Sequence, residues 1–183
     1  ANFRQAGLIG ESRRAWQGEA GPSAVLSGSC SRATRAQVAR HRQHHPALEI
    51  SADGVMSGEV TAQSVAEWML AAGGVPLAFT SADPAEVARI QKAHGRAESA
   101  AALEALFAET ARLLVAGGIT RLITAGGETS GAVVEGLGLA EMEIGPEIDP
   151  GVPAMRVPGL AFALKSGNFG QEDFFEKAAR VLA

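Results

Sequence analysis

Three clusters of glycine and hydroxyl residues carry the side chains best suited to chemistry in this chain. The densest is Ala125-Gly126-Gly127-Glu128-Thr129-Ser130-Gly131, set between the apolar, β-branched stretch 119–123 and a run of helix formers. That order predicts a strand, a tight turn and a helix N-terminus. At such a junction the first backbone N–H groups have no intrahelical acceptor, and the macrodipole makes the helix end positive. Gly126 and Gly127 carry no Cβ, so phosphates can approach the backbone closely, while Thr129 and Ser130 place hydroxyls at capping positions. Two readings fit: a phosphate or nucleotide cradle, or a plain connector turned by glycines and capped by a hydroxyl. The run lacks the Lys of a Walker A loop and is not a G-x-G-x-x-G fingerprint. Glu128 repels phosphate unless it points outward, takes a ribose hydroxyl or helps to hold Mg²⁺.

The second cluster, Ser27-Gly28-Ser29-Cys30-Ser31, follows the apolar residues 24–26 and precedes an Arg-rich helical pattern over 34–40. It offers a second set of N–H groups and hydroxyls, from Ser27 and Ser29, or equally a core strand followed by an N-capped helix. A thiolate at Cys30 would be favoured by a helix N-terminus, but no His/Asn pattern accompanies it. The third cluster, Lys165-Ser166-Gly167-Asn168-Phe169-Gly170, follows an apolar run over 160–164. There Lys165 either neutralises a phosphate or is a surface lysine beside a turn. His41, His44 and His45 sit together without the carboxylate of an H-E-x-x-H site. They are expected as a solvated cationic helix end, stopped by Pro46.

The elements that must position these residues alternate. Strands are expected at 23–26, 48–50, 75–81 and 119–123, and helices at 34–40, 61–72, from Asp83-Pro84 onward, at 99–116, and from the central loop to about 138. Val65, Trp68 and Met69, and Leu103, Leu106, Phe107, Thr110, Leu113 and Leu114, fall on helical stripes and are expected in the core. Residues 142–144, 155–157 and 160–164 are strand candidates, the last two as a hairpin, and residues 172–182 form a closing amphipathic helix. The prolines at 146, 150 and 153 suit edge strands and turns. The fold class is therefore α/β, a three-layer αβα domain with a largely parallel, mixed central sheet. In such sheets ligands lie beyond the carboxyl ends of the strands, where the glycine loops fall.

With 183 residues, 46% hydrophobic and 20% charged, the composition is that of a soluble globular domain. A net charge of −4 argues against a nucleic-acid partner, and one cysteine excludes an internal disulfide and fits a reducing cytoplasm. No apolar run is long enough to span a membrane, and the opening residues have neither a signal-peptide layout nor an initiator Met.

Taken together and in this order, the three motifs, with Gly145-Pro146-Glu147-Ile148-Asp149-Pro150-Gly151-Val152-Pro153 between the last two, resemble the four-carbon acid sugar kinases: the 3-oxo-tetronate, threonate and erythronate kinases. The resemblance covers nearly the whole chain, and only the C-terminal, nucleotide-binding domain of those enzymes. It implies that Ser27 or Ser29, Gly126, Gly127, Glu128 and Thr129, and the Gly167 loop contact ATP, with Ser130, Lys165 and Asn168 beside them and Mg²⁺ offsetting charge. Family members bind the sugar acid mainly through an N-terminal domain with an Asp-Asp-x-Thr-Gly motif, which does not occur here. Residues 1–22 are accordingly expected as a lead-in from that missing domain and 23–183 as the nucleotide-binding domain. The expected function is the ATP-binding part of a cytoplasmic sugar-acid kinase, inactive alone and with an apolar face that can form a homodimer. The alternative is a non-catalytic nucleotide- or phosphometabolite-binding module.

Overall fold

The computed structural model describes residues 16–80, 89 and 92–183. The helix expected to start at Asp83-Pro84 begins outside them. Inside the sheet, β1 (Ser23–Ser27) is buried at every position. Its neighbours are β3 (Leu77–Thr80) and β4 (Arg121–Ala125), both parallel to it. Beyond β3 lies β2 (Ala47–Ile50), and beyond β4 lies β7 (Leu160–Lys165), again parallel. The hairpin of β6 (Val152–Val157) with β7 and the edge strand β5 (Glu143–Asp149) add antiparallel pairs. The seven strands run β2-β3-β1-β4-β7-β6-β5, so the sheet is mixed and mostly parallel, as the pattern predicts. Pro146 sits in the edge strand, but Pro153 departs from expectation. It lies in β6, a strand paired on both sides, at a position before the β7 register starts at Ala154.

Alternation along β1 sorts the two cores. Ala24 and Leu26 face one side with α3 (Ala62–Ala71), α4 (Arg96–Ala116) and α5 (Gly127–Gly136), where Met69, Phe107, Leu114 and Val133 pack. Val25 faces the other with α1 (Arg32–His41) and α6 (Phe174–Val181), where Val38, Phe174, Phe175 and Ala178 pack. Burying aromatic side chains such as Phe174 and Phe175 contributes roughly 1.5–3 kcal/mol each. One short helix, α2 (Ala52–Ser57), has no apolar stripe to announce it. Ser51 starts it by accepting the Gly54 N–H, and Gly58 ends it at a left-handed φ of 79°.

Residues 16–22 lie along the domain. The Trp16 indole N–H donates to the Val181 carbonyl at 2.9 Å, and Arg156 stands over its ring. Among the described residues, no helix is long and apolar enough to cross a membrane.

Candidate functional site

The chain leaves β1 toward β2 and β3 on one side, and passes from β3 to β4 on the other. The reversal makes the carboxyl ends of β1 and β4 a topological switch point, the usual place for a ligand crevice in an open α/β sheet. A cavity of about 650 Å³ opens there. The β1 loop contributes Gly28, Ser29 and Cys30, the β4 loop Gly126, Gly127 and Glu128. Ser166 and Gly167 close it from the β7 loop. The structure thus brings the three glycine clusters together from positions more than 130 residues apart.

Glycines serve two purposes here, and only one of them faces a ligand. A Cβ on Gly28 would lie 2.2 Å from Thr129 Oγ1, and one on Gly167 would lie 2.3 Å from Ser29 Oγ. Gly126 has a φ of 127° and its missing Cβ would sit 3.0 Å from Thr129 Oγ1. These three let the loops pack against one another. Gly127 alone of the four has no heavy atom near its missing Cβ, and it faces the open cavity.

Helix α5 starts beneath this opening. Its first ladder bond runs from Ser130 N–H to Gly126 O at 2.9 Å, so the N–H groups of residues 127–129 precede it without an intrahelical acceptor. The N-cap is Gly126, with no side-chain cap bond. This corrects the expectation that Thr129 or Ser130 caps the helix. Both are buried: the Thr129 hydroxyl fills the space left by Gly28, and Ser130 shares a hydrogen bond of 2.7 Å with Thr124. The orphan N–H groups are consequently left to solvent or ligand.

The third loop is held from α1. Ser31 caps that helix by accepting the Thr34 N–H, and the hydroxyls of Ser31 and Thr34 both donate to the Gly167 carbonyl. One turn on, the Gln37 amide lies 3.0 Å from each of the Phe169, Gly170 and Gln171 carbonyls, two N–H bonds shared among three acceptors. Sequence reasoning does not single out these three residues. Their i, i+3, i+6 spacing puts them on one helix face, but nothing local says what that face meets.

Lys165 is not a surface lysine. It is 2% exposed, and its ammonium donates to Thr34 Oγ1 at 2.8 Å and to the Gly167 and Ser166 carbonyls at 3.2 and 3.3 Å. No carboxylate among the described residues forms an ion pair with it, and burial pushes its pKa down to about 8. A cation therefore lies under the cradle, bound to neutral acceptors alone. Asn168 is exposed and lies outside the cavity lining. Ser27 is 1% exposed and also lies outside it, whereas Ser29 lines it.

Two other sequence candidates change meaning. His41 is fully buried, stacked on His45 and edge-on to Phe175, with Nε2 2.8 Å from the Val75 carbonyl. Burial lowers its pKa, so the expected solvated cap is a core contact at this position, and only His44 of the three is exposed. Packing around Cys30 pushes its thiol up more than nearby Arg35 pulls it down, the reverse of an activated nucleophile.

The exit of the third loop is anchored by Asp149. Its carboxylate accepts the Gln171 N–H and the Lys177 ammonium, each at 2.8 Å. Burial raises the Asp149 pKa, but these partners outweigh that and hold it below the ordinary value. A depressed folded pKa gives stability that is present at neutral pH and lost as pH falls through it. Asp149→Asn is expected to cost about 1–3 kcal/mol at pH 7. Urea unfolding at neutral pH and at a pH below the carboxylate range checks this: the two proteins should differ in the first and converge in the second.

Comparison with known proteins agrees with the geometry. Residues 24–175 match the model of the nucleotide-binding C-terminal domain family. The 3-oxo-tetronate kinase of Salmonella typhimurium is 43% identical over 180 residues, covering 94% of this chain and 43% of that enzyme. The 3-oxo-tetronate kinase of Methylobacterium radiotolerans is 47% identical over 170 residues, 89% of this chain and 40% of its own. A solved Haemophilus influenzae protein, described by a domain of unknown function, aligns with a TM-score of 0.86 at 35% identity, over 98% of this chain and 45% of its own. The chain spans less than half the length of these relatives.

Proposed function

Since the chain belongs to the nucleotide-binding C-terminal domain family of the four-carbon acid sugar kinases, we propose that it is the ATP-binding part of a kinase that phosphorylates a hydroxyl of a four-carbon sugar acid. The observation that carries this reading is the open N-terminus of α5 at Gly127, with unshared N–H groups facing a cavity at the switch point. Backbone N–H groups and a helix dipole suit a polyphosphate, and the buried Lys165 ammonium has no carboxylate partner among the described residues. Ser29 and Gly127 would hold the phosphates, while Gly126, whose N–H donates to the Lys165 carbonyl, and Gly167 would set the packing of the loops around them. Thr129, Ser130 and Gly28 would act by shaping the loops rather than by touching the ligand.

Among the described residues Glu128 is the one carboxylate in the cavity lining, and they contain no group of three His, Cys, Asp or Glu side chains able to hold a metal. Mg²⁺ commonly takes one or two carboxylates plus substrate phosphates. A single carboxylate therefore fits an ion that arrives with the nucleotide, where it would offset phosphate charge. Positioning and electrostatics dominate phosphoryl transfer, so nucleotide and acceptor can sit on separate domains that close around them. In this reading residues 1–22 lead in from a domain that binds the sugar acid, and this chain alone binds nucleotide without turnover.

Titration with ATP by calorimetry, with and without Mg²⁺, tests the proposal. Saturable binding strengthened by Mg²⁺ is expected. Equal heats for ATP and for inorganic phosphate would favour the phosphometabolite-binding alternative, which the kinase relatives do not support.

A further inference from the structure

A second cavity of about 160 Å³ opens on the far side of the β1 loop, between the carboxyl ends of β1 and β3 and the flank of α1. Its polar floor is Ser27 and Thr80, and both are buried. Ser27 Oγ has no hydrogen-bond partner among the described residues, although buried hydroxyls ordinarily find one. The walls are apolar: Val38, Ala39 and Phe79. Arg35 and Arg42 form the rim, seven residues apart and so on one face of α1. The Arg42 guanidinium stands 5.9 Å from the centroid of the Phe79 ring. Among the described residues no carboxylate lines the cavity, and Ser29 lines both it and the phosphate cradle.

We propose that this cavity is the base slot of the nucleotide: a purine lies against Phe79 under the Arg42 guanidinium, its edge hydrogen-bonds Ser27 Oγ, and its phosphates pass Ser29 into the cradle. The proposal rests on the nucleotide reading of the cradle and deepens it by fixing which way the ligand lies. Size and chemistry both select a base. Whole small-molecule ligands occupy roughly 300–1,000 Å³, so a cavity of about 160 Å³ takes one ring system and leaves the rest outside. A heterocyclic base has apolar faces and a polar edge, matching apolar walls over a single unsatisfied hydroxyl. A four-carbon sugar acid carries polar groups along its whole length, and several would be buried unpaired against Val38, Ala39 and Phe79. Guanidinium groups also stack on flat π-systems, which suits an Arg at the rim that forms no ion pair among the described residues.

Two variants on the exposed flank of α1 test this without entering the core. Arg42→Ala removes the stacking cation, and Ala39→Trp fills the slot. Binding of ATP and of inorganic tripolyphosphate, each with Mg²⁺, is measured by calorimetry for the wild type and both variants. Arg42→Ala should weaken ATP about tenfold and leave tripolyphosphate unchanged. Ala39→Trp should weaken ATP about a hundredfold, again sparing tripolyphosphate, since it occludes a packed site. In the wild type, nuclear Overhauser contacts are expected between the purine protons of ATP and the Phe79 ring. Parallel loss of both ligands would assign the slot to phosphate, and no loss of either would leave it outside the ligand path; each overturns the proposal. Shifts at Phe79 and Arg42 caused by erythronate and not by adenosine would assign it to the acceptor, and overturn it as well. Binding of neither ATP nor tripolyphosphate to the wild type would sink the cradle reading itself, and the slot with it.

Discussion

Gly127→Asp is expected to abolish ATP binding while leaving the fold intact. Gly127 is the first residue of α5, and a Cβ there meets nothing within 4 Å. A carboxylate in the first turn of a helix is favourable by about 0.3–1 kcal/mol, so the melting temperature should hold or rise slightly. Against a polyphosphate the sign reverses. Two like unit charges 4 Å apart repel by about 4 kcal/mol at an effective dielectric near 20, or about a thousandfold in affinity. Gly28→Ala supplies the contrast. Its Cβ would sit 2.2 Å from the Thr129 hydroxyl, so it should lower the melting temperature by disturbing the packing between loops. Calorimetric titration beside thermal unfolding separates the two effects. A Gly127→Asp protein that still bound ATP normally would remove the phosphates from this helix end.

Lys165→Met should weaken ATP binding by about one to two orders of magnitude, the range expected when a charge-assisted hydrogen bond is removed from a buried site. Thr34 continues to donate to the Gly167 carbonyl in this variant, so the loop keeps a tie to α1. The same residue sets a pH dependence. Burial without an anion lowers the Lys165 pKa to about 8. An unfolded lysine stays protonated to about pH 10.4, so between these values the unfolded chain binds more protons and stability rises with pH. The Met variant should lack that rise. Phosphates favour the ammonium and raise its pKa, so nucleotide binding should take up protons in the same window and weaken as pH increases through it. Calorimetry at about pH 8.5 in two buffers of different ionisation enthalpy measures the uptake directly. Wild-type heats that do not depend on the buffer, or an identical dependence in the Met variant, would detach Lys165 from the anion.

Much of this molecule is local and so legible in one dimension. Residues 23–26 and 119–123 are short apolar runs, each followed by glycine and hydroxyl residues and then by a helical pattern. That grammar determines these two strands, the helices that follow them, the α/β class and the position of the glycine and hydroxyl loops at their carboxyl ends, whereas the short helix α2 has no such signal. The order of the three motifs added the family. Tertiary structure decided what each residue does inside a loop. Gly126 and Gly127 are neighbours, yet the first accommodates another loop and the second faces open space. Ser27 lines the smaller cavity alone while Ser29 lines both, Lys165 is buried, and His41 is a core contact. Gln37 holds carbonyls more than 130 residues away. Periodicity reports which way a side chain leaves its own helix or strand. What it meets there depends on segments brought in from elsewhere in the chain, and those approaches are fixed only when both faces of the sheet are packed.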